Sequence, residues 1–358
     1  MIFMSRSIWR WLPIAMAAVL ALTPFGGLGA AAASVGAITE FPLPGANLAP
    51  TSITTGSDGN LWFTENGNIG RMTPLGALSQ FPSATGTWIT PGPDGALWFT
   101  ETSQGRIGRM TTAGGFTEFT LPGNPPPGAG YTQPSQERPE AITVGPDGAL
   151  WYTVQIFNRS CVCVLGGKIG RITTSGAFTE FTLPTGGTRR TSPRAFGIVS
   201  GPDGALWFTD TNLGKIGRIT TTGALTQFNV PQGSPQGIAA GPDGNLWFTA
   251  NFGQSALLGR LTPTGAFTEF TAATGVDGVS VGAAIAVGPD NNLWFTDYDS
   301  LTGTGAILRS TTSGVVTRFP LAQFDEIDGI TRGSDGAMWF TVTHIQTQTS
   351  AIGRIATS

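Results

Sequence analysis

At 358 residues the chain is long for one ordinary domain, a prior that repeat folds break. Charged residues make up 11% of it and the formal net charge is −3, which excludes the electrostatic footprint of a nucleic-acid binder. The 52 glycines and 25 prolines fall at repeat boundaries, where they act as turn punctuation rather than as a mark of disorder.

Residues 1–33 differ in kind from the rest. Arg6 and Arg10 are their only charges, Trp11 to Leu22 is apolar, and Ala30 to Ala33 ends the segment with small residues. This order of charged, apolar and small residues predicts a cleaved signal peptide, and so a secreted, periplasmic or cell-envelope protein. Pro13, Pro24 and Gly26-Gly27 interrupt the apolar run, which argues against a membrane anchor. Loss of the two arginines takes the basic count from 19 to 17 against 22 acids, leaving a charge of −5.

From Ser34 onward one phrase recurs seven times, clearest as Pro-Asp-Gly-Ala-Leu-Trp-Phe-Thr at Pro202 to Thr209. Its tryptophans are Trp62, Trp98, Trp151, Trp207, Trp247, Trp294 and Trp339. Each copy is followed by an Ile-Gly-Arg phrase, such as Ile216-Gly217-Arg218, and then by one resembling Phe-Thr-Glu-Phe, ending for example at Phe228. Each unit parses into four short strands, as in Gly237–Ala240, Leu246–Thr249, Leu258–Thr262 and Ala266–Phe270. Pro pre-sets a turn's second position and Gly accepts positive φ, so Pro-Asp-Gly is a hairpin turn. Leu-Trp-Phe is apolar on both pleat faces, which predicts burial on both sides. Seven such sheets make an all-β fold, a single seven-bladed β-propeller spanning residues 34–358. The last unit stops after its third strand, and Ala37 to Phe41 is an orphan fourth strand. Pairing the two closes the ring and removes an open edge.

Spacings between successive tryptophans are 36, 53, 56, 40, 47 and 45, so some units carry insertions. These fall in the blade-to-blade crossings and in the links between second and third strands, which leave a blade from the same face. The insertions therefore surround one mouth of the central channel, the expected binding face for a small molecule, peptide or glycan. The expected state is a monomer.

Side chains able to carry chemistry cluster at that mouth. Glu65, Glu101, Asp210 and Asp297 follow Trp-Phe-Thr, where converging oxygens would suit Mg²⁺ or Ca²⁺; solvated loop acids are the alternative. The residue two before each innermost-strand isoleucine points at the mouth: Thr51, Thr87, Glu140, Phe196, Gln236, Ala283 and Asp328. The next residue is usually small, with Trp88 the exception. Glu140, Glu326 and Asp328, with Arg138, Arg194 and Arg332, predict a mixed-charge rim. Tyr131 and Arg189-Arg190 are further candidate contacts on the insertion loops. The only histidine, His344, follows the last Trp-Phe-Thr, and Cys161 and Cys163 are either a local disulfide or two thiols.

The repeated Ile-x-x-Gly-Pro-Asp-Gly-x-Leu-Trp-Phe-Thr, Ile-Gly-Arg-Ile-Thr and Phe-Thr-Glu-Phe phrases resemble those of the streptogramin B (virginiamycin B) lyases, over about residues 35 to 358. The resemblance implies a seven-bladed propeller that opens a cyclic depsipeptide by Mg²⁺-assisted elimination across its ester. It also implies histidines at two places where this chain has Ala283 and Asp328, and a glutamate where it has Thr343. Glu326 matches the family's glutamate before the second histidine. The resemblance thus implies either a binding module or divergent enzyme at the insertion face, with Asp328, Glu326 and His344 as the candidate catalytic groups. A surviving Mg²⁺-dependent lyase and a metal-dependent ester or lactone hydrolase are the alternatives.

Overall fold

A computed structural model describes residues 34–358 except 46–47, 83–85, 126–134, 186–187, 189–190, 253–254, 272–278, 300–303 and 324. Residues 1–33, on which the predicted signal peptide falls, lie outside the described residues, as do Tyr131 and Arg189-Arg190. Seven antiparallel sheets follow one another along the chain, six of four strands and one of five. In the fourth blade the strands are Ala195–Ser200, Leu206–Asp210, Lys215–Ile219 and Leu225–Asn229, from axis to rim. The orphan strand Ile38–Pro42 pairs antiparallel with the final strand Thr349–Ile355, Phe41 opposite Ile352, and closes the ring as its sequence predicts.

The repeated phrase is a set of contacts. All seven tryptophans are fully buried, and each second strand of the Leu-Trp-Phe-Thr type is buried along its length, because blades cover both faces. Trp207 stacks on Phe228 of the outermost strand at 5.4 Å between centroids, and the same pairing recurs around the ring. The Asp of each Pro-Asp-Gly turn holds this pair in place. Asp203 accepts the Trp207 indole N–H at 2.9 Å and the Arg218 Nε–H at 2.6 Å. Burial pushes the Asp203 carboxyl up, but those two hydrogen bonds outweigh it and hold it below the usual carboxylate range. Six equivalents repeat the tryptophan bond at 2.9–3.0 Å.

Two glycines show why that residue is needed. Gly204 adopts φ +73° to finish the Asp203 turn. A Cβ on Gly217 would stand 2.1 Å from the Phe208 ring, so the third strand must be bare where it crosses the aromatic. The sixth blade departs from this, with Leu308 opposite Phe295.

The innermost strands bring Ile53, Ile89, Ile142, Ile198, Ile238, Ile285 and Ile330 to the axis, around a channel cavity of about 160 Å³. At the far end the second-to-third-strand links touch the blade crossings. Val230 N–H donates to the Gly214 carbonyl, Leu183 to Gly167 and Leu121 to Gly105. The insertions share this face. In the third blade the insertion is not a loose link: Ser135–Val144, Leu150–Asn158 and Cys163–Ile172 run on as long paired strands. Val154 to Phe157 is rich in β-branched and aromatic residues, which suits a continued ladder. Cys161 and Cys163 form a disulfide at its tip.

Candidate functional site

Register slips in the innermost strands build the mouth. Pairing with the second strand breaks between Pro139 and Ile142, Ala195 and Ile198, Pro235 and Ile238, and Val281 and Ile285. The residues skipped include Glu140, Phe196, Gln236 and Ala283, so each bulge frees a side chain that a regular ladder would lock against its neighbours. In the last blade a break between Asp325–Glu326 and Ile330–Arg332 serves Asp328 in the same way. The threonine of Trp-Phe-Thr fixes these bulges except in the sixth blade, where the Thr296 hydroxyl has no hydrogen-bond partner among the described residues. Thr209 Oγ1 accepts the Gly197 N–H at 2.9 Å and donates to the Gln236 carbonyl of the next blade at 2.7 Å. Thr153 does the same between Ala141 and Phe196, and Thr100 accepts the Trp88 N–H. Sequence reasoning read this threonine only as strand; its recurrence in every unit was the available signal.

A mouth cavity of about 180 Å³ is lined by Thr51, Thr87, Trp88, Glu140, Phe196, Ala283 and Asp328. Trp88 meets Phe196 edge-on at 5.8 Å, two blades away. Both acids are half-buried. Burial pushes the Glu140 carboxyl up to about 7, against the lowering pull of the Arg194 and Arg138 charges. Burial, with the Glu326 charge beside it, pushes Asp328 up to about 6. Gln236 lines an adjoining cavity with Arg194. Arg138 lies over the Phe157 ring at 3.6 Å, and Glu326 is exposed on the strand paired with Thr343.

Three groups of predicted site residues go elsewhere. Arg332 is at the opposite end of its strand, beside the Asp335 turn; its carbonyl accepts from Thr55, and its charge does not join the mouth. The rim prediction fails there because strand direction carries Arg332 away from Asp328. Nor do the acids after Trp-Phe-Thr converge: side chains alternate along a strand, and theirs point away from the axis threonine. Glu65 is bonded by Gln80 at 2.7 Å, Asp210 accepts the Arg194 and Leu213 backbone N–H groups, and Asp297 faces Arg318 at 3.5 Å. Glu101 is fully buried, and burial with the neighbouring Glu118 carboxylate pushes its carboxyl up. Finally, His344 is occupied on both nitrogens. Its Nδ1 is 2.6 Å from Asp325, and its Nε2 is 3.3 Å from Glu40 on the closing strand. His344 thus clamps the ring seam and is held away from the mouth.

The Mg²⁺ that the family resemblance implies does not fit these side chains. Among the described residues no group of three His, Cys, Asp or Glu stands close enough to hold a cation. Burial pushes both mouth carboxyls up, which weakens the ionised form that a hard cation needs. No chemical step is assigned to the metal.

The virginiamycin B lyase family profile matches residues 26–160, 131–322 and 253–358. The chain belongs to this family. A structure described as a streptogramin B lyase superposes with a TM-score of 0.71 at 30% identity, covering 89% of this chain and 97% of that one. The virginiamycin B lyase of Staphylococcus aureus gives 0.72 at 31%, covering 89% and 99%. A catalytically inactive histidine-to-alanine variant of that enzyme, crystallised with quinupristin, gives 0.72 at 29% over the same shares. No curated protein sequence matches the chain.

Proposed function

We propose that this member of the family is an exported ligand-binding propeller that takes a small, peptide-like molecule at its mouth without cleaving it. The observation that carries the reading is the mouth cavity itself. Six blades contribute to it, and the positions where the resemblance expects histidines hold Ala283, which has no proton to exchange, and Asp328. The apolar leader at residues 1–33 supports export; N-terminal sequencing of the protein recovered outside the cytoplasm checks it. Incubation with virginiamycin B and Mg²⁺, with and without EDTA, tests the absence of cleavage. Chromatography with mass detection is expected to return intact substrate, while calorimetry reports binding. A linear isomer of unchanged mass would mean elimination and would overturn the reading.

One observation favours a second reading. A carboxyl pushed up to about 6, as in Asp328, is a better general base than an ordinary aspartate. Acting on an ester, its carboxylate would take the proton from the carbon next to a carbonyl; the C–H pair becomes a C=C bond as the neighbouring alkyl C–O bond breaks, and that bond's pair leaves on the substrate's released carboxylate. Loss of isomer formation in Asp328→Asn, with binding kept, would establish it.

A further inference from the structure

The mouth is divided into two adjoining cavities that share one wall, the Phe196 ring. One, of about 180 Å³, holds the Glu140 and Asp328 carboxyls beside Trp88. The other, of about 240 Å³, is lined by Arg194, Gln236, Asn212, Thr211 and Ser234. Together they fall in the range of about 300–1,000 Å³ usual for small-ligand sites.

Their charges are not spent on the fold. Elsewhere in the propeller half-buried ions pair closely, as Arg218 does with Asp203 and Lys168 with Glu180. Among the described residues Glu140 and Asp328 make no hydrogen bond or ion pair, and the Arg194 guanidinium acts on Glu140 only across space. Half-buried carboxylates without partners are costly to a fold and are answered by a ligand that supplies the missing partners, whereas Arg194 is exposed and offers its charge at the open edge of the site. A simple cation would leave Arg194 unanswered, and a simple anion would face two carboxyls. We infer that the mouth takes a short zwitterionic peptide, with its ammonium between Glu140 and Asp328, its carboxylate against Arg194 and Gln236, and an apolar side chain on Phe196 and Trp88. The inference rests on the mouth-binding reading above and gives it a ligand class.

The titration of the site supports it. Burial raises Glu140 against the facing Arg194 and Arg138 charges, and burial together with the facing Glu326 charge raises Asp328. At pH 8 an ammonium meets two carboxylates, and at pH 5 it meets two neutral acids, so affinity falls as pH falls.

Calorimetry with the dipeptide Leu-Phe at pH 8, beside its N-acetyl and C-amide forms and virginiamycin B, tests this. Leu-Phe is expected to bind, with each blocked form at least about tenfold weaker, the effect of losing a charged hydrogen bond. Glu140→Gln should abolish the penalty for acetylation, and Arg194→Gln the penalty for amidation. Equal binding of all three dipeptide forms overturns the inference. So does silence from Leu-Phe while virginiamycin B binds, an outcome that leaves the mouth reading standing. If neither binds, both readings fall.

Discussion

The two ends of the propeller follow opposite rules. At the turn end, seven blades repeat one arrangement, an aspartate accepting from a buried tryptophan with an arginine beside it. At the mouth, equivalent positions in successive blades hold Thr, Thr, Glu, Phe, Gln, Ala and Asp, and no two adjoining blades beyond the first pair agree. Repetition marks what each sheet needs in order to stand against the next. Departure from it, at positions that line the mouth, marks what the ring has been left free to use.

Substitutions can break this contrast, and the largest effect belongs to the turn end. Trp207→Ala removes a fully buried side chain and should cost about 3–5 kcal/mol, read as a fall in the urea midpoint. Asp203→Ala leaves the indole N–H and the Arg218 guanidinium without their acceptor and should cost about 1–3 kcal/mol. A loss no larger than that of an exposed surface residue would show that the turn aspartates are ornamental. His344→Ala should fall in a similar or smaller range, about 1–2 kcal/mol, because it strips a shared partner from Glu40 and Asp325. Mouth binding should survive that change.

At the mouth the sign reverses. Between pH 4.5 and about 7 unfolded Glu140 is ionised while folded Glu140 keeps its proton, so stability falls as pH rises through that window. Glu140→Gln should therefore flatten the pH profile there and stabilise the protein at pH 8, on the order of 1 kcal/mol after solvent screening. A destabilised variant would mean that the carboxylate is partnered after all. Arg194→Gln, an exposed change, should move stability by less than about 0.5 kcal/mol while weakening the binding of a carboxylate.

The sequence spelled out the ring because its signals repeat. Six Trp-Phe-Thr phrases and one Trp-Tyr-Thr, the turn chemistry of Pro-Asp-Gly and the orphan strand at Ala37 to Phe41 each have one structural meaning, and the observed pairing of Phe41 with Ile352 follows from them. The mouth residues were also legible, since counting back from each isoleucine reaches Glu140, Phe196 and Asp328. Direction along a strand was harder to read. Glu65, Glu101, Asp210 and Asp297 leave the second strand near the mouth but on the pleat face turned from the axis, and Arg332 lies past the isoleucine rather than before it. His344 was misread for another reason: its partners Glu40 and Asp325 are remote in sequence, and only ring closure brings Glu40 beside it.

That closure has a consequence for the order of assembly. Ile38 pairs with Ile355, so the first strand to be made waits for the last before its ladder can form. Six blades can form from consecutive strands as the chain emerges, but the seventh is completed only once Thr349–Ile355 has been made and meets Ile38–Pro42. The entropy of bringing distant ends together grows with the logarithm of their separation, so the penalty is modest at equilibrium; the delay falls on the rate. Until then the final sheet presents a bare edge, and a neighbouring nascent copy carries the strand that fits it.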